Sequence, residues 1–278
     1  VTDAGHPASW GPVTGAASHL DFFNTRYGEI VVCKYEDLNG DGCLSAGEKA
    51  AGTLGAGWTF FLDANGNGAW DAGEQKASTD ETGCVTFTGI EIGRSYKVYE
   101  LPGESPAASG GNGWYQTVGK DGIAVSVAQS GGTARADFGN TEYGKLVVTK
   151  YVDRNNDGDL NDKGEGNPYT GHGFTFRLKD LTTGQVVATI TDGQDGALDG
   201  KVTFTGLIVG HKYKVIEVLG AGSPWFQTGS TNTCFKIDYS GECEQASFVN
   251  SRYEGLTPGY WKNHPDASKN PWPRRGLI

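Results

Sequence analysis

Asp21-Phe22-Phe23-Asn24-Thr25-Arg26-Tyr27-Gly28 returns downstream as Asp137-Phe138-Gly139-Asn140-Thr141-Glu142-Tyr143-Gly144, and again as Ser247-Phe248-Val249-Asn250-Ser251-Arg252-Tyr253. A phrase that recurs at near-constant spacing marks a repeated structural unit. The intervals from Phe22 to Phe138 and from Phe138 to Phe248 are each the size of one domain. Between the markers, Gly28-Glu29-Ile30-Val31-Val32-Cys33-Lys34-Tyr35 matches Gly144-Lys145-Leu146-Val147-Val148-Thr149-Lys150-Tyr151. Tyr96-Lys97-Val98-Tyr99-Glu100 matches Tyr213-Lys214-Val215-Ile216-Glu217 in the same way, as Trp114-Tyr115-Gln116-Thr117 matches Trp225-Phe226-Gln227-Thr228. These runs are short, β-branched or aromatic, and bounded by Gly, Asn, Asp or Ser, and none holds a helical period.

The expected fold is therefore all-β: two tandem sandwich modules, Ig-like or prealbumin-like, over residues 28–142 and 143–253. An extended N-terminal arm, 1–27, and a Pro- and Trp-rich C-terminal tail, 254–278, flank them. Composition agrees, with 37% hydrophobic and 20% charged residues and 44 glycines among 278, the usage of short strands joined by tight turns. A net charge of -10 argues against nucleic acid, whose phosphates need clustered Lys and Arg, and makes cations the expected partners. No methionine occurs, even at position 1, which predicts a chain exported after loss of a leader. A membrane-spanning helix is not expected, since no run of about 18 apolar residues is present.

Five cysteines are few for a disulfide scaffold and odd in number. Cys234 and Cys243 flank Phe235–Glu242, whose alternation and Ser240-Gly241 read as a hairpin that would set the two thiols opposite each other. Cys33, Cys43 and Cys84 have no assigned pairing, and small buried residues in a sheet are the plainer reading of them.

Directly after the first strand comes a twelve-residue loop with the calcium-binding pattern, an oxygen donor at each alternate position, Gly at the sixth and Glu at the twelfth. Its expected ligands are Asp37, Asn39, Asp41, the carbonyl of Cys43, Ser45 and Glu48. A second copy offers Asp63, Asn65, Asn67, the carbonyl of Ala69, Asp71 and Glu74. In the second module the set is Asp153, Asn155, Asp157, Asp159, Asp162 and Glu165, with the glutamate one residue late and Asp162 read as the compensating ligand. All-oxygen donors and tolerance of a register slip fit Ca2+ better than zinc or magnesium, so about three Ca2+ sites are expected, without the helices that flank an EF-hand. Such strings also make good turns, and Asp192–Asp199, which lacks the ligand register, is read as one.

Residues two apart on a strand share a face. Lys34 and Lys150 are therefore in phase with Ile30, Val32 and with Leu146, Val148. Glu100 and Glu217 fall in phase with Val98 and Val215, and Asn140 and Asn250 with Phe138 and Phe248. Six polar groups aimed where apolar groups aim are costly unless they meet one another.

With the first-strand Lys, the Asp-x-Asn-x-Asp-Gly loop, the Tyr-to-Glu run and the terminal Phe-x-Asn, residues 28–250 resemble the B-type domains of Gram-positive surface proteins. Both the collagen-adhesin kind and the calcium-binding kind of serine-aspartate repeat proteins share these features. The resemblance to the former implies isopeptide bonds joining Lys34 to Asn140 and Lys150 to Asn250, assisted by Glu100 and Glu217. An apolar site favours the neutral amine that such an attack needs. A buried ion pair closed by an Asn is the plainer alternative.

Each module uses one Phe-x-Asn strand, which leaves Leu20, Phe22 and Asn24 surplus. That segment reads as a donor strand for head-to-tail pairing between copies, which would propagate into an open polymer; it also reads as an edge cover of the first module or a remnant of an upstream repeat. No catalytic constellation is legible, the five histidines being scattered, so no enzyme is expected. The expected protein is a secreted, calcium-stabilised structural subunit of an extracellular filament, tube or surface layer, with copies of itself as partners. The alternative is a stalk module of a cell-surface adhesin with a host or matrix ligand. A carbohydrate-binding role for Trp114, Trp225 and Trp261 is the weaker third reading, because the first two occupy one repeat position and read as core.

Overall fold

The computed structural model describes residues 24–104, 106, 113–194, 196–229 and 234–252. Leu20 and Phe22 of the candidate donor strand, and the tail from 253 onward, lie outside the described residues; Asn24 is exposed coil leading into the first strand.

Eight strands build the first module: β1 (Gly28–Glu36), β2 (Thr59–Asp63), β3 (Lys76–Ser78), β4 (Cys84–Ile90), β5 (Ser95–Glu100), β6 (Trp114–Val118), β7 (Ile123–Ser126) and β8 (Thr133–Glu142). Eight more build the second: β9 (Gly144–Val152), β10 (Thr175–Asp180), β11 (Val186–Thr191), β12 (Lys201–Leu207), β13 (Lys212–Val218), β14 (Trp225–Gln227), β15 (Cys234–Lys236) and β16 (Cys243–Arg252). Each module is two four-stranded sheets, ordered β4-β1-β8-β6 and β3-β2-β5-β7 in the first, β12-β9-β16-β14 and β11-β10-β13-β15 in the second. The strand order is the same in both, and the sheets face each other as sandwiches. Among the described residues no helix is long and apolar enough to cross a membrane.

Alternation decides which residues fill the sandwich. Ile30 and Val32 of β1, Phe60 and Leu62 of β2 and Phe138 of β8 are buried in one core; Leu146, Val148, Phe176, Leu178 and Phe248 fill the other. The two cores repeat even their cross-sheet ring contacts, Phe60 on Phe138 at 4.9 Å and Phe176 on Phe248 at 5.1 Å. Trp114 and Trp225 pack against these cores.

The first and last strands of each module run side by side and parallel, with Lys34 level with Phe138 and Lys150 level with Phe248. Parallel neighbours carry their chain ends at opposite poles. A pull on the two ends of a module therefore loads the whole hydrogen-bond ladder in shear, rather than opening it one bond at a time.

Two expectations are corrected. The disulfide is Cys33–Cys84, register partners across β1 and β4. Cys234 and Cys243 are exposed and not joined to each other. Phe235–Glu242 is no hairpin: β15 pairs with β13 while β16 pairs with β14 and β9 in the opposite sheet. The fully buried Ile237 pins the crossing between them. In addition, the first carboxylate loop runs into a short helix, α1 (Ala46–Ala51), where Ser45 caps the start and Glu48 closes a capping box.

Candidate functional site

Lys34 and Lys150 are fully buried, since parity aims them into the sandwich from the centre of a sheet. In module 1 the Lys34 Nζ lies 2.5 Å from Glu100 Oε2 and 2.5 Å from Asn140 Oδ1. Asn140 Nδ2 donates to the other oxygen of Glu100 at 2.9 Å. One carboxylate thus bridges the amine and the amide nitrogen, while the amine sits on the amide oxygen. An aromatic ring closes the site, Trp58 lying 4.7 Å under the Lys34 Nζ.

Module 2 holds the same set. Lys150 Nζ is 2.9 Å from Glu217 Oε1, Asn250 Nδ2 donates to that oxygen at 2.8 Å, and Phe174 stands 4.6 Å from the amine. The Lys150–Glu217 separation is that of an ion pair without hydrogen-bond alignment, and Lys150 Nζ, Glu217 Oε2 and Asn250 Oδ1 are buried without a hydrogen-bond partner. Burial lowers both lysines to about 8, against the opposing pull of Glu100 on one and Glu217 on the other. The six residues read from strand parity are therefore brought together as two triads.

The arrangement has a definite chemical capacity. A neutral Nζ can attack Asn Cγ; the Nζ–Cγ bond forms, the Cγ–Nδ2 bond breaks, and the carboxylate relays one proton from Nζ to Nδ2 so that ammonia leaves. At a pKa of about 8, roughly a tenth of each amine is neutral at pH 7.

The three carboxylate loops share one hydrogen-bond pattern. The opening aspartate accepts from the N–H of the loop glycine five residues on: Asp37 from Gly42 at 2.9 Å, Asp63 from Gly68 at 2.9 Å, Asp153 from Gly158 at 3.1 Å. The closing glutamate reaches back to the N–H of the second loop residue: Glu48 to Leu38, Glu74 to Ala64, Glu165 to Arg154. Glu165, one residue late in sequence, thus occupies the same place as the other two. Within the loops Asn39 accepts from Asp41 N, Asn65 from Asn67 N, Asn67 from Ala69 N and Asn155 from Asp157 N. Asp41 accepts from Cys43 N, Asp157 from Asp159 N and Asp159 from Asn161 N, while Asp71 accepts from both Asn65 and Asn67 amides. Ser45 is committed to capping α1.

Among the described residues no group of three or more His, Cys, Asp or Glu is close enough to hold a metal on those side chains alone. The loops would draw the balance from Asn side chains and from carbonyls such as those of Cys43 and Ala69. Two observations fit a cation: Asp37 Oδ1 and Glu165 Oε2 are buried with no hydrogen-bond partner, in residues 0% and 1% exposed. A buried carboxylate oxygen without a donor is costly. Asp162 is pushed up by desolvation and then by the charges of Glu165, Asp157, Asp159 and Asp153, so that loop crowds carboxylates that a cation would relieve. In the second loop, burial acts upward on Asp63 but backbone donors, Gly68 and Gly66 foremost, hold it below its usual value. Asp192 receives the Gly200 N–H at 3.0 Å and closes a turn.

Sequence reasoning missed the seam between modules. Ser240 N donates to Leu38 O at 2.7 Å, Glu142 N donates to Ser240 Oγ at 2.8 Å, and Val209 N donates to Tyr115 Oη at 3.1 Å. The first carboxylate loop lies in that seam.

No family model matches the chain, and no curated protein matches it. Solved structures similar to it include the Bacillus anthracis TIE protein, at 17% identity and TM-score 0.34, over 81% of this chain and 34% of that one. A streptococcal ancillary pilin is similar at 15% identity and TM-score 0.37, over 81% of this chain and 63% of that one. The shaft pilin of Lactobacillus rhamnosus GG follows at 14% and 0.33, over 84% and 100%. The chain thus spans about a third of the first of these and less than two thirds of the second. Each likeness is distant and assigns no role to any residue of this chain.

Proposed function

We propose that this chain is an extracellular, tension-bearing structural subunit that assembles with copies of itself into a filament, tube or surface layer. Each module is closed covalently by its Lys–Asn pair, and calcium fills the carboxylate loops. The observation that carries this reading is the Lys-Glu-Asn triad, present twice, each spanning the parallel first and last strands. With the Lys34–Asn140 link formed, tension entering at Gly28 crosses to β8 and leaves at Glu142, so residues 35–139 carry none of it. The Cys33–Cys84 disulfide supports an oxidising, extracytoplasmic setting.

Calcium has a structural role here. It would give Asp37 Oδ1 and Glu165 Oε2 the partners they lack and neutralise acidic loops in a chain of net charge -10.

Single-molecule pulling of the full chain tests the proposal. Closed modules give no unfolding step of module size, and Glu100→Ala with Glu217→Ala, pulled after reduction of the Cys33–Cys84 disulfide, restores two such steps. A wild-type chain that extends as far as the double variant contradicts it.

A further inference from the structure

The outer face of the β11-β10-β13-β15 sheet is basic in a chain that is acidic overall, with 33 Asp and Glu against 23 Lys and Arg. Residues two apart on a strand share a face, so Arg177 and Lys179 of β10, Lys212 and Lys214 of β13 and Lys236 of β15 point away from the core that Phe176, Leu178, Tyr213 and Val215 fill. All five are exposed. Cross-strand register gathers them: Lys179 lies level with Lys214 and Lys212 with Lys236. Lys236 pairs with Asp238. Arg177, Lys179, Lys212 and Lys214 form no ion pair with a described carboxylate, and Asp180, at the end of β10, is taken by His211 at 2.8 Å.

Side chains level on neighbouring strands stand about 5 Å apart at Cβ, and like charges there destabilise a sheet. Two such lysine pairs on one face therefore cost stability. Module 1 shows what the fold itself needs at these places. Its register is the same, with Phe60 level with Glu100 as Phe176 is with Glu217. Where module 2 has Lys179 and Lys214, module 1 has Asp63 and Lys97, which are opposite in charge. Ser95 and Ser126 hold the places of Lys212 and Lys236, and Phe61, stacked on Tyr99 at 5.4 Å, holds that of Arg177. The sandwich forms without a basic face, so the lysine pairs answer to something other than folding.

The face offers more than charge. Thr189 of β11, level with Arg177, presents an exposed hydroxyl, and Val218, level with Thr175, is 42% exposed at the end of β13. Cations, a hydroxyl and aliphatic surface on one sheet match a polymer that carries anionic groups, hydroxyls and C–H faces together. Lysine suits such a chain, because an ammonium on a flexible stem meets successive anionic groups as a point charge, without the fixed fork of a guanidinium.

We propose that this face, centred on Lys179, Lys212, Lys214 and Lys236 with Arg177 beside them, is a docking surface for an acidic polysaccharide. It involves neither triad and no carboxylate loop, and it stands whether or not the chain assembles with copies of itself.

Binding of the full chain to immobilised dextran sulfate tests it, with unsulfated dextran as the uncharged form of the same polymer. Wild type should bind the first, more weakly as salt rises, and ignore the second. Lys179→Asp, Lys212→Ser and Lys236→Ser together install the module 1 residues and should weaken binding roughly tenfold or more. Arg177→Gln with Lys214→Gln, which leaves those three positions untouched, should weaken it as well. Lys120→Asp, Lys163→Ser and Lys201→Ser change the net charge as much as the triple variant does, at exposed positions away from this face, and should keep the affinity within about twofold. Because the lysine pairs cost stability, the triple variant should melt no lower than wild type, which also shows that it is folded. Melting several degrees lower would contradict the cost that singles out this face. Equal losses in the two triple variants would reduce the effect to net charge and overturn the surface, as would unchanged binding in the first. Tighter binding to anionic phospholipid vesicles or to duplex DNA than to dextran sulfate would overturn the polysaccharide assignment.

Discussion

Lys34 Nζ and Asn140 Oδ1 meet at 2.5 Å although 106 residues separate them, and they do so across two parallel strands that carry the ends of the module. In the second module Lys150 and Asn250 do not make this direct contact but meet on one oxygen of Glu217. A fully buried lysine is expensive to keep charged. Its placement beside an amide and a bridging carboxylate gives it a chemical outlet that an ordinary core position lacks.

The lowered lysines make a pH prediction. In Asn140→Ala with Asn250→Ala both amines stay free, and their folded pKa of about 8 lies below the unfolded value of 10.5. Between these values the unfolded chain binds more protons than the folded one, so stability rises with pH from about 8 to 10.5. Below that window both states are protonated and the gain is absent. Wild type, its amines consumed in amides, should lack this rise. Denaturant titrations at stepped pH measure both.

Chelation should lower the melting temperature of the wild-type chain by several degrees, since each kcal/mol is worth roughly 4–8 °C in a domain of this size. Asp37→Asn and Glu165→Gln together should remove most of that response, and Asp199→Asn should leave it intact. Calorimetry with and without chelator reads the difference, and an unchanged melting temperature would end the structural role of calcium.

The Cys33–Cys84 bridge closes a loop with a sequence separation of 51. In the loop-entropy model, removing it with Cys33→Ala and Cys84→Ala costs about 4 kcal/mol. That figure applies to an open module, so it is expected in the Glu100→Ala background. When Lys34 and Asn140 are joined, the unfolded chain is already restricted and the cost is smaller. A double-mutant cycle by chemical denaturation gives the coupling.

Much of the molecule was legible in the chain itself. The recurrence of Phe22, Phe138 and Phe248 marks out the repeated module, and strand parity alone singles out Lys34, Glu100 and Asn140, because their polar groups fall in phase with core residues. What escaped was non-local. Cys33 and Cys84 pair because β4 lies beside β1 in register, and neither strand's own sequence names its neighbour. Phe235–Glu242 alternates as a hairpin does, yet its apolar Ile237 is drawn into the core, which sends the chain from one sheet to the other. The helix α1 that Ser45 and Glu48 cap was not anticipated, because the same two residues fit the ligand pattern and were read only as part of it. The seam at Ser240 depends on the packing of one module on another.

Intact mass of the full chain, measured after reduction of the disulfide, tests covalent closure most directly. The chain should fall short of its sequence mass by two molecules of ammonia, and Glu100→Ala and Glu217→Ala should each restore one. A wild-type chain at its full sequence mass would contradict closure of either module.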